Sequence, residues 1–231
     1  MGFLLDHGVR YLALDIDGTL YPRRMLNARM VRSSFPSLRL ALAFNKVRTA
    51  YRREQEERAT TPPNREGLLR RQASMVAGRM GSGDIPAVQA AIDSQFYAAW
   101  ERSFLSIKPF AHLRETLLQA KEQGVLIVVL SDFPIARKLE TLGIEDLVDM
   151  AFSSEESGYL KPHPSAFALI LDALACPGSE VLYVGDSYSK DCVGAKGVGM
   201  HTALIGKRDS GRYPDADMIV NSWKELAALI L

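Results

Sequence analysis

Cysteine is scarce in this chain: there are two in 231 residues, Cys176 and Cys192, far apart and forming no CxxC. A disulfide framework and a zinc knuckle are therefore not indicated, and a reducing compartment fits. No apolar stretch approaches the ~18 residues of a membrane span. The opening residues, MGFLLDHGVR, show neither a long apolar run nor a cleavage signature, and Asp6 stands where a myristoylation signal needs Ser or Thr. An excess of one charge is also lacking. Lys and Arg total 28 against 27 Asp and Glu, a formal net charge of +1, so no global field draws the chain to nucleic acid or to an anionic membrane. The sequence shows no internal repeat and no low-complexity tract. A cytoplasmic protein is expected, with neither nucleic acid nor membrane as a partner.

What is present is ordinary globular composition. Hydrophobic residues at 47% and charged residues at 24% argue against disorder and against a coiled coil. A chain of this length buries roughly 70% of its unfolded surface, so it needs no covalent or metal staple. It allows one α/β domain, or a core with an insert.

Short apolar runs bounded by turn residues alternate with amphipathic stretches, the pattern of βα units around a mainly parallel sheet. The strongest are Tyr11 to Asp17, Leu126 to Asp132 and Val181 to Asp186; Met150 to Ser153, His201 to Ile205 and Met218 to Val220 are weaker. All three strong runs end on aspartate, and ligands of open α/β sheets bind outside the carboxyl ends of the strands, so these carboxylates are expected to converge. Between the first two strong runs, from about Pro22 to Leu105, there is no strand signal. Leu40, Phe44, Val47 and Tyr51 repeat at helical spacing, with Arg39, Lys46, Arg48, Arg52 and Arg53 on the other faces. Leu69, Ala73, Val76 and Met80 repeat the pattern, as do Val88, Ile92 and Ala99. Breaks are expected at Thr61 to Asn64 and at Gly81 to Gly83. Residues 22–105 are thus expected to form a separate helical domain inserted into an α/β core of residues 1–21 and 106–231. Further on, Leu113, Leu117 and Ala120 mark a helix stopped by Gly124, and Pro134 is expected to open another, stopped by Gly143. The insert is rich in arginine: Arg29, Arg32 and Arg58 join those already named.

Asp15 and Asp17 stand two apart at the end of the first run, followed by Gly18 and Thr19. Strand alternation points both to one face. Two close carboxylates are expected to raise each other's pKa unless a cation compensates. That suits phosphoryl transfer: one carboxylate attacks phosphorus, a bound Mg²⁺ screens the approach of two anions, and the second carboxyl protonates the leaving oxygen. Gly18 permits a sharp exit. Ser131 and Asp132, with the N–H groups of the helix after Pro134, offer a phosphate cradle. Lys161 sits between Leu160 and Pro162 in a loop stiffened by two prolines, and its ammonium answers both a carboxylate and the charge of a phosphoryl group. His163 beside it reads as a loop histidine, since no second histidine is suitably spaced. Asp186 at a strand tip and Asp191 in the next turn face the same crevice, to serve a metal, its water shell or Lys161.

The order and placement of these residues resemble the haloacid dehalogenase superfamily. The resemblance rests on LDIDGTL around Asp15 to Leu20, VLSD at Val129 to Asp132, Lys161 in LKPHP, and VGDSYSKD at Val184 to Asp191. It implies a Rossmann-like core, with the helical insert as a C1-type cap. It implies Asp15 as a nucleophile that becomes an aspartyl phosphate and Asp17 as general acid and then base. It further implies that Asp186 holds Mg²⁺ with the Asp15 carboxylate and the Asp17 backbone carbonyl, that Ser131 and Lys161 bind the phosphoryl group, and that Asp191 supports the metal or Lys161. Tyr21, Arg23 and Arg24, leading into the insert, are expected to contribute to substrate choice. The expected activity is hydrolysis of a small phosphorylated metabolite, with nucleoside monophosphates among the candidates. A dehalogenase, or a phosphotransferase or mutase, is the alternative on the same scaffold. A receiver-like phosphorylated switch is the non-enzyme alternative, disfavoured by the large insert and by the Asp186 and Asp191 pair.

Overall fold

The computed structural model describes residues 2–26, 38–57, 64–104, 107–135, 137–206 and 212–231. Arg29, Arg32, Arg58 and the expected break at Thr61 to Pro63 lie outside the described residues.

Six strands form one sheet in the order β3-β2-β1-β4-β5-β6, every neighbouring pair parallel. They are β1 (Tyr11–Leu14), β2 (Leu126–Ser131), β3 (Met150–Ser153), β4 (Val181–Gly185), β5 (His201–Ile205) and β6 (Met218–Val220). The three weaker runs keep their expected bounds. The three strong runs end earlier, at Leu14, Ser131 and Gly185, so each terminal aspartate lies just beyond its strand.

The central strands are apolar on both faces because both are covered. Leu12, Leu14, Ile127, Val129, Leu182 and Val184 pack on one side; Tyr11, Ala13, Val128, Leu130, Val181 and Tyr183 pack on the other. The first face is closed by Leu113 and Leu117 and by Trp223, Leu226 and Ile230, and the second by Ala166, Phe167 and Ile170. Leu14 is level with Val129 of β2 and with Val184 of β4, which lines up the carboxyl ends. Strand order reverses at β1, the point in such sheets where a crevice opens.

The described residues of the insert form helices and no strand, with the expected break at Gly81 to Gly83, and have an apolar core of their own. They include α1 (Leu38–Glu57), α2 (Arg65–Met80), α3 (Ile85–Ile92), a π-helical turn at Asp93–Tyr97, and α4 (Ala98–Phe104). Leu40, Phe44 and Val47 pack there with Ala73, Val76, Val88, Ile92 and Phe96. On α2 the buried face is completed by Leu68 and Ala77 rather than by Leu69 and Met80, a rotation of about one position from the expected stripe. Asn64 caps α2 by accepting from the Gly67 N–H at 2.9 Å. After the insert come α5 (Leu113–Glu122), α6 (Lys138–Leu142), α7 (Pro164–Leu174), α8 (Val193–Gly197) and α9 (Trp223–Ile230). The helix expected to open at Pro134 begins instead at Lys138. Among the described residues no helix is long and apolar enough to cross a membrane.

Candidate active site

The chain leaves β1 at Leu14 and turns sharply at Gly18, whose φ of +111° lies in the left-handed region. A side chain there is excluded twice, because a Cβ on Gly18 would also sit 2.3 Å from the Asp186 carboxylate. This turn separates the two aspartates of the first motif into different environments.

Asp15 faces Lys161. Its Oδ1 accepts from the Lys161 ammonium at 2.7 Å and its Oδ2 from the Thr19 hydroxyl at 3.0 Å. The same ammonium donates to Asp191 Oδ1 at 2.8 Å, the Tyr183 hydroxyl at 2.9 Å and the Leu130 carbonyl at 3.3 Å, and Lys161 is only 1% exposed. Burial, the largest influence on each, would raise the Asp15 pKa and lower that of Lys161, but the surrounding charges together outweigh it: Lys161 and Lys190 hold Asp15 below its ordinary value, and Asp15, Asp191, Tyr183 and Asp132 hold Lys161 well above. The expected mutual raising between Asp15 and Asp17 is therefore not what governs Asp15. A cation from another loop reached it first.

Asp17 has a different set of partners. Its carboxylate accepts from the Tyr21 hydroxyl in a short hydrogen bond, from the Lys138 ammonium at 3.1 and 3.2 Å, and from the Ser131 hydroxyl at 3.5 Å. Tyr21, expected among the specificity residues, is fully buried and acts on Asp17 instead. Lys138 was not singled out by sequence; it lies just past Pro134 on the first residue of α6.

Asp15, Asp186 and Asp191 each offer an oxygen within 4.8 Å of the other two. Burial, and then the neighbouring charges of Asp15 and Asp191, push the Asp186 carboxyl up to about 6. Burial likewise raises Asp191, against the pull of Lys161. Asp191 is further fixed by the Ser187 N–H at 3.0 Å. Gly185 admits it, since a Cβ there would lie 2.4 Å from the Asp191 side chain. The cluster holds three carboxylates, two of them paired with the Lys161 ammonium, an excess of negative charge that a hard divalent cation with oxygen ligands would meet. The Asp17 carboxylate is not in this cluster.

Asp132 departs from its expected role. It is 5% exposed, and although burial would raise its pKa, the charges of Arg52, Lys190, Lys161 and Arg48 hold it well below the usual carboxylate range. A carboxylate that stays ionised repels a phosphate. Asp132 instead accepts from Arg52 at 2.7 Å, the Ser154 hydroxyl at 3.1 Å and the Lys161 N–H at 3.3 Å, fixing the loop that carries Lys161. Ser131 is fully buried at the tip of β2, its Oγ accepting from the Phe133 N–H at 3.2 Å. His163 behaves as a loop residue, its Nδ1 accepting from the Ser165 N–H at 3.2 Å to cap α7.

Arg48, Tyr51, Arg52 and Gln55 make a stripe on α1 that docks onto the core, a contact the sequence reading missed. Arg48 donates to Glu155 at 2.8 Å and to the Asp132 carbonyl at 2.8 Å, and its guanidinium lies 4.1 Å from the centroid of the Phe133 ring. Arg52 donates from Nε to the Lys161 carbonyl at 2.9 Å. Tyr51 and Gln55 both donate to the Gly158 carbonyl, at 3.2 and 2.9 Å. Arg23 and Arg24 are exposed; the charge of Arg23 is felt at Asp186, Tyr21 and Arg52.

Residues 9–199 match the family model of the haloacid dehalogenase-like hydrolases, and the chain belongs to that family. It is 30% identical to a phosphoglycolate phosphatase from Pectobacterium atrosepticum, over 96% of this chain and 92% of that protein. It is 34% identical to a glyceraldehyde 3-phosphate phosphatase from Methanocaldococcus jannaschii, where the match spans 54% of this chain and 57% of the relative, little more than half its length. Among solved structures, a hydrolase of this type from Bacillus subtilis crystallised with magnesium shares the fold at a TM-score of 0.67 and 15% identity, over 96% of this chain and 98% of that one. An L-2-haloacid dehalogenase from Xanthobacter autotrophicus does so at 0.63 and 17%, over 96% and 98%. Hydrolases of this family generally use a divalent metal, and the acidic cluster suits one.

Proposed function

We propose that the chain is a Mg²⁺-dependent phosphomonoester hydrolase that works through an aspartyl phosphate on Asp15. The observation that carries this reading is the division of labour between the first two aspartates: Asp15 is tied to Lys161 at 2.7 Å, whereas Asp17 is held by Tyr21 and Lys138. The first arrangement keeps a nucleophile ionised. The second holds a carboxyl outside the Asp15, Asp186 and Asp191 cluster, free of the metal and positioned to exchange a proton.

In this reading residues 22–105 cap a core made of residues 1–21 and 106–231. Lys161 and Ser131 hold the phosphoryl group while Asp15 Oδ attacks phosphorus, and the P–O bond to the alcohol breaks as Asp17 gives its proton to the departing oxygen. Asp17 then takes a proton from water, whose oxygen attacks the same phosphorus, and Asp15 is released with inorganic phosphate. Mg²⁺, held by Asp15, Asp186 and the Asp17 backbone carbonyl with Asp191 in support, would supply the positive charge that lets two anions meet. A halide leaves without needing a proton, so a dehalogenase would give Asp17 no work; this favours phosphate ester cleavage over the dehalogenase alternative. The relatives' names make glyceraldehyde 3-phosphate and phosphoglycolate reasonable first substrates, beside nucleoside monophosphates, for an enzyme acting in the cytoplasm.

The test is phosphate release from a panel of phosphomonoesters with Mg²⁺ and with EDTA, for the native chain and for Asp15→Asn. Turnover that requires both Asp15 and the metal is expected. Full activity of Asp15→Asn, or full activity in EDTA, would overturn the mechanism.

A further inference from the structure

Beyond Asp17, between the helical insert and the segment after β2, lies a cavity of about 320 Å³. Lys138 belongs both to its lining and to the Asp17 site, with its ammonium 3.1 Å from Asp17 Oδ2. Phe104, also in the lining, packs edge-on to Tyr21 with ring centroids 5.0 Å apart, and the Tyr21 hydroxyl bonds Asp17. The cavity therefore adjoins the carboxyl that protonates the departing alcohol, so that alcohol is expected to occupy it.

Its walls indicate what kind of alcohol. Tyr97, Phe104, Phe133 and Pro134 supply flat, apolar surface, with the Tyr97 and Phe133 ring centroids 6.3 Å apart. Three cations line it, Arg137 paired with Glu140 at 2.8 Å, Lys138 with Asp17, and Arg65 sharing Glu155 with Arg48, and two acids, Asp93 and Glu101, line it as well. A small carboxylate-bearing alcohol such as glycolate would leave the aromatic faces uncovered. It would also fill little of a cavity that falls within the range of about 300–1,000 Å³ typical of sites for whole small molecules.

We propose that this cavity is the leaving-group site and that it selects phosphomonoesters whose alcohol carries an uncharged planar ring over small anionic ones. The inference rests on the phosphatase reading above and adds the substrate class. The ring stacks among Tyr97, Phe104 and Phe133, and the ester oxygen points toward Asp17.

The test compares kcat/KM for benzyl phosphate, ethyl phosphate and phosphoglycolate, all esters of unactivated alcohols. The native chain is expected to prefer benzyl phosphate to each of the others by ~tenfold or more, the discrimination that apolar pockets reach. Ala98→Phe and Thr141→Phe, which fill the cavity from the insert and from α6 respectively, are expected to lower kcat/KM for benzyl phosphate more than for ethyl phosphate and so to erase that preference. Thermal melting identifies a variant that fails to fold, and the other variant then carries the comparison. A native preference for phosphoglycolate, or filled variants that lose all three substrates in equal proportion while folded, would overturn the assignment and leave the phosphatase reading standing. No phosphate release from any ester would overturn both.

Discussion

Replacing Lys161 by Met tests the charge arrangement on which the site depends. The ammonium is 1% exposed and serves two buried carboxylates at once, Asp15 at 2.7 Å and Asp191 at 2.8 Å. Removing one partner of a buried ion pair costs ~3–5 kcal/mol, and with two carboxylates left behind the upper end applies. Against a total stability of ~5–15 kcal/mol that is a large fraction. The sign with pH follows from the shifts. In the native chain the depressed pKa of Asp15 contributes stability that is present above its unfolded value of ~3.9 and is lost as pH falls through the folded one. In the variant, burial and mutual repulsion raise both carboxyls, so the folded state is penalised above pH ~4 and relieved as pH falls toward it. Urea unfolding at pH 7.5 in EDTA should therefore show a loss near ~4–5 kcal/mol that shrinks at pH 4.5. Saturating Mg²⁺ should shrink it as well, since a bound cation replaces part of the missing charge. A loss below about 1 kcal/mol at pH 7.5, or one equal at both pH values, would refute the reasoning.

Three further outcomes are expected. Glu155→Gln leaves the buried Arg48 guanidinium without its carboxylate partner and should destabilise the chain by ~3–5 kcal/mol, with Arg48→Met plus Glu155→Leu recovering part of the loss in a thermal double-mutant cycle. Because the Asp186 carboxyl sits at about 6, it must shed a proton to bind metal. Mg²⁺ affinity by calorimetry should then be level above pH 7 and fall ~tenfold per pH unit below 6, a slope that Asp186→Asn removes and that a flat profile from pH 7.5 to 5 would contradict. Gly18→Ala forces the Asp186 carboxylate aside and strains a positive φ, so stability should drop by ~1–3 kcal/mol and kcat/KM by ~10²-fold, measured on any ester the native chain turns over.

The centre of the sheet was legible because its strands are buried on both faces and so read as unbroken apolar runs; the more exposed edge strands Met150–Ser153 and Met218–Val220, weaker in sequence, kept their bounds as well. Asp15, Ser131 and Asp186 stood out for a related reason, since polar residues ending an apolar run have one crevice to enter, and Asp191 stood out in the turn that follows. What escaped were groups whose role depends on a distant partner. Arg48 looks like any arginine on an amphipathic helix until Glu155, 107 residues away, is seen to lie 2.8 Å from it. One signal was available, the spacing of Arg48, Tyr51, Arg52 and Gln55 along one flank of α1, which marks a polar face without saying whether solvent or protein meets it. Lys138 was hidden by the expectation that Pro134 opens a helix. Tyr21 was expected to contribute to substrate choice, and its buried hydroxyl turns back to Asp17, a partner only four residues away that the sequence does not mark.

Asp132 ties the helical insert to the loop that carries Lys161. Its carboxylate takes the Arg52 guanidinium from the insert and the Lys161 N–H from the core, while Arg52 donates to the Lys161 carbonyl. The peptide groups on either side of the Lys161 Cα are thus held by Asp132 and by Arg52, and those two are held by each other. Any displacement of α1 from the core must break the contacts of Arg52 and release one of the two restraints that aim the Lys161 ammonium at Asp15. The anionic state of Asp132 strengthens this tie, because a protonated carboxyl would keep the geometry of a hydrogen bond to Arg52 but lose the charge that draws Arg52 and Lys190 to it.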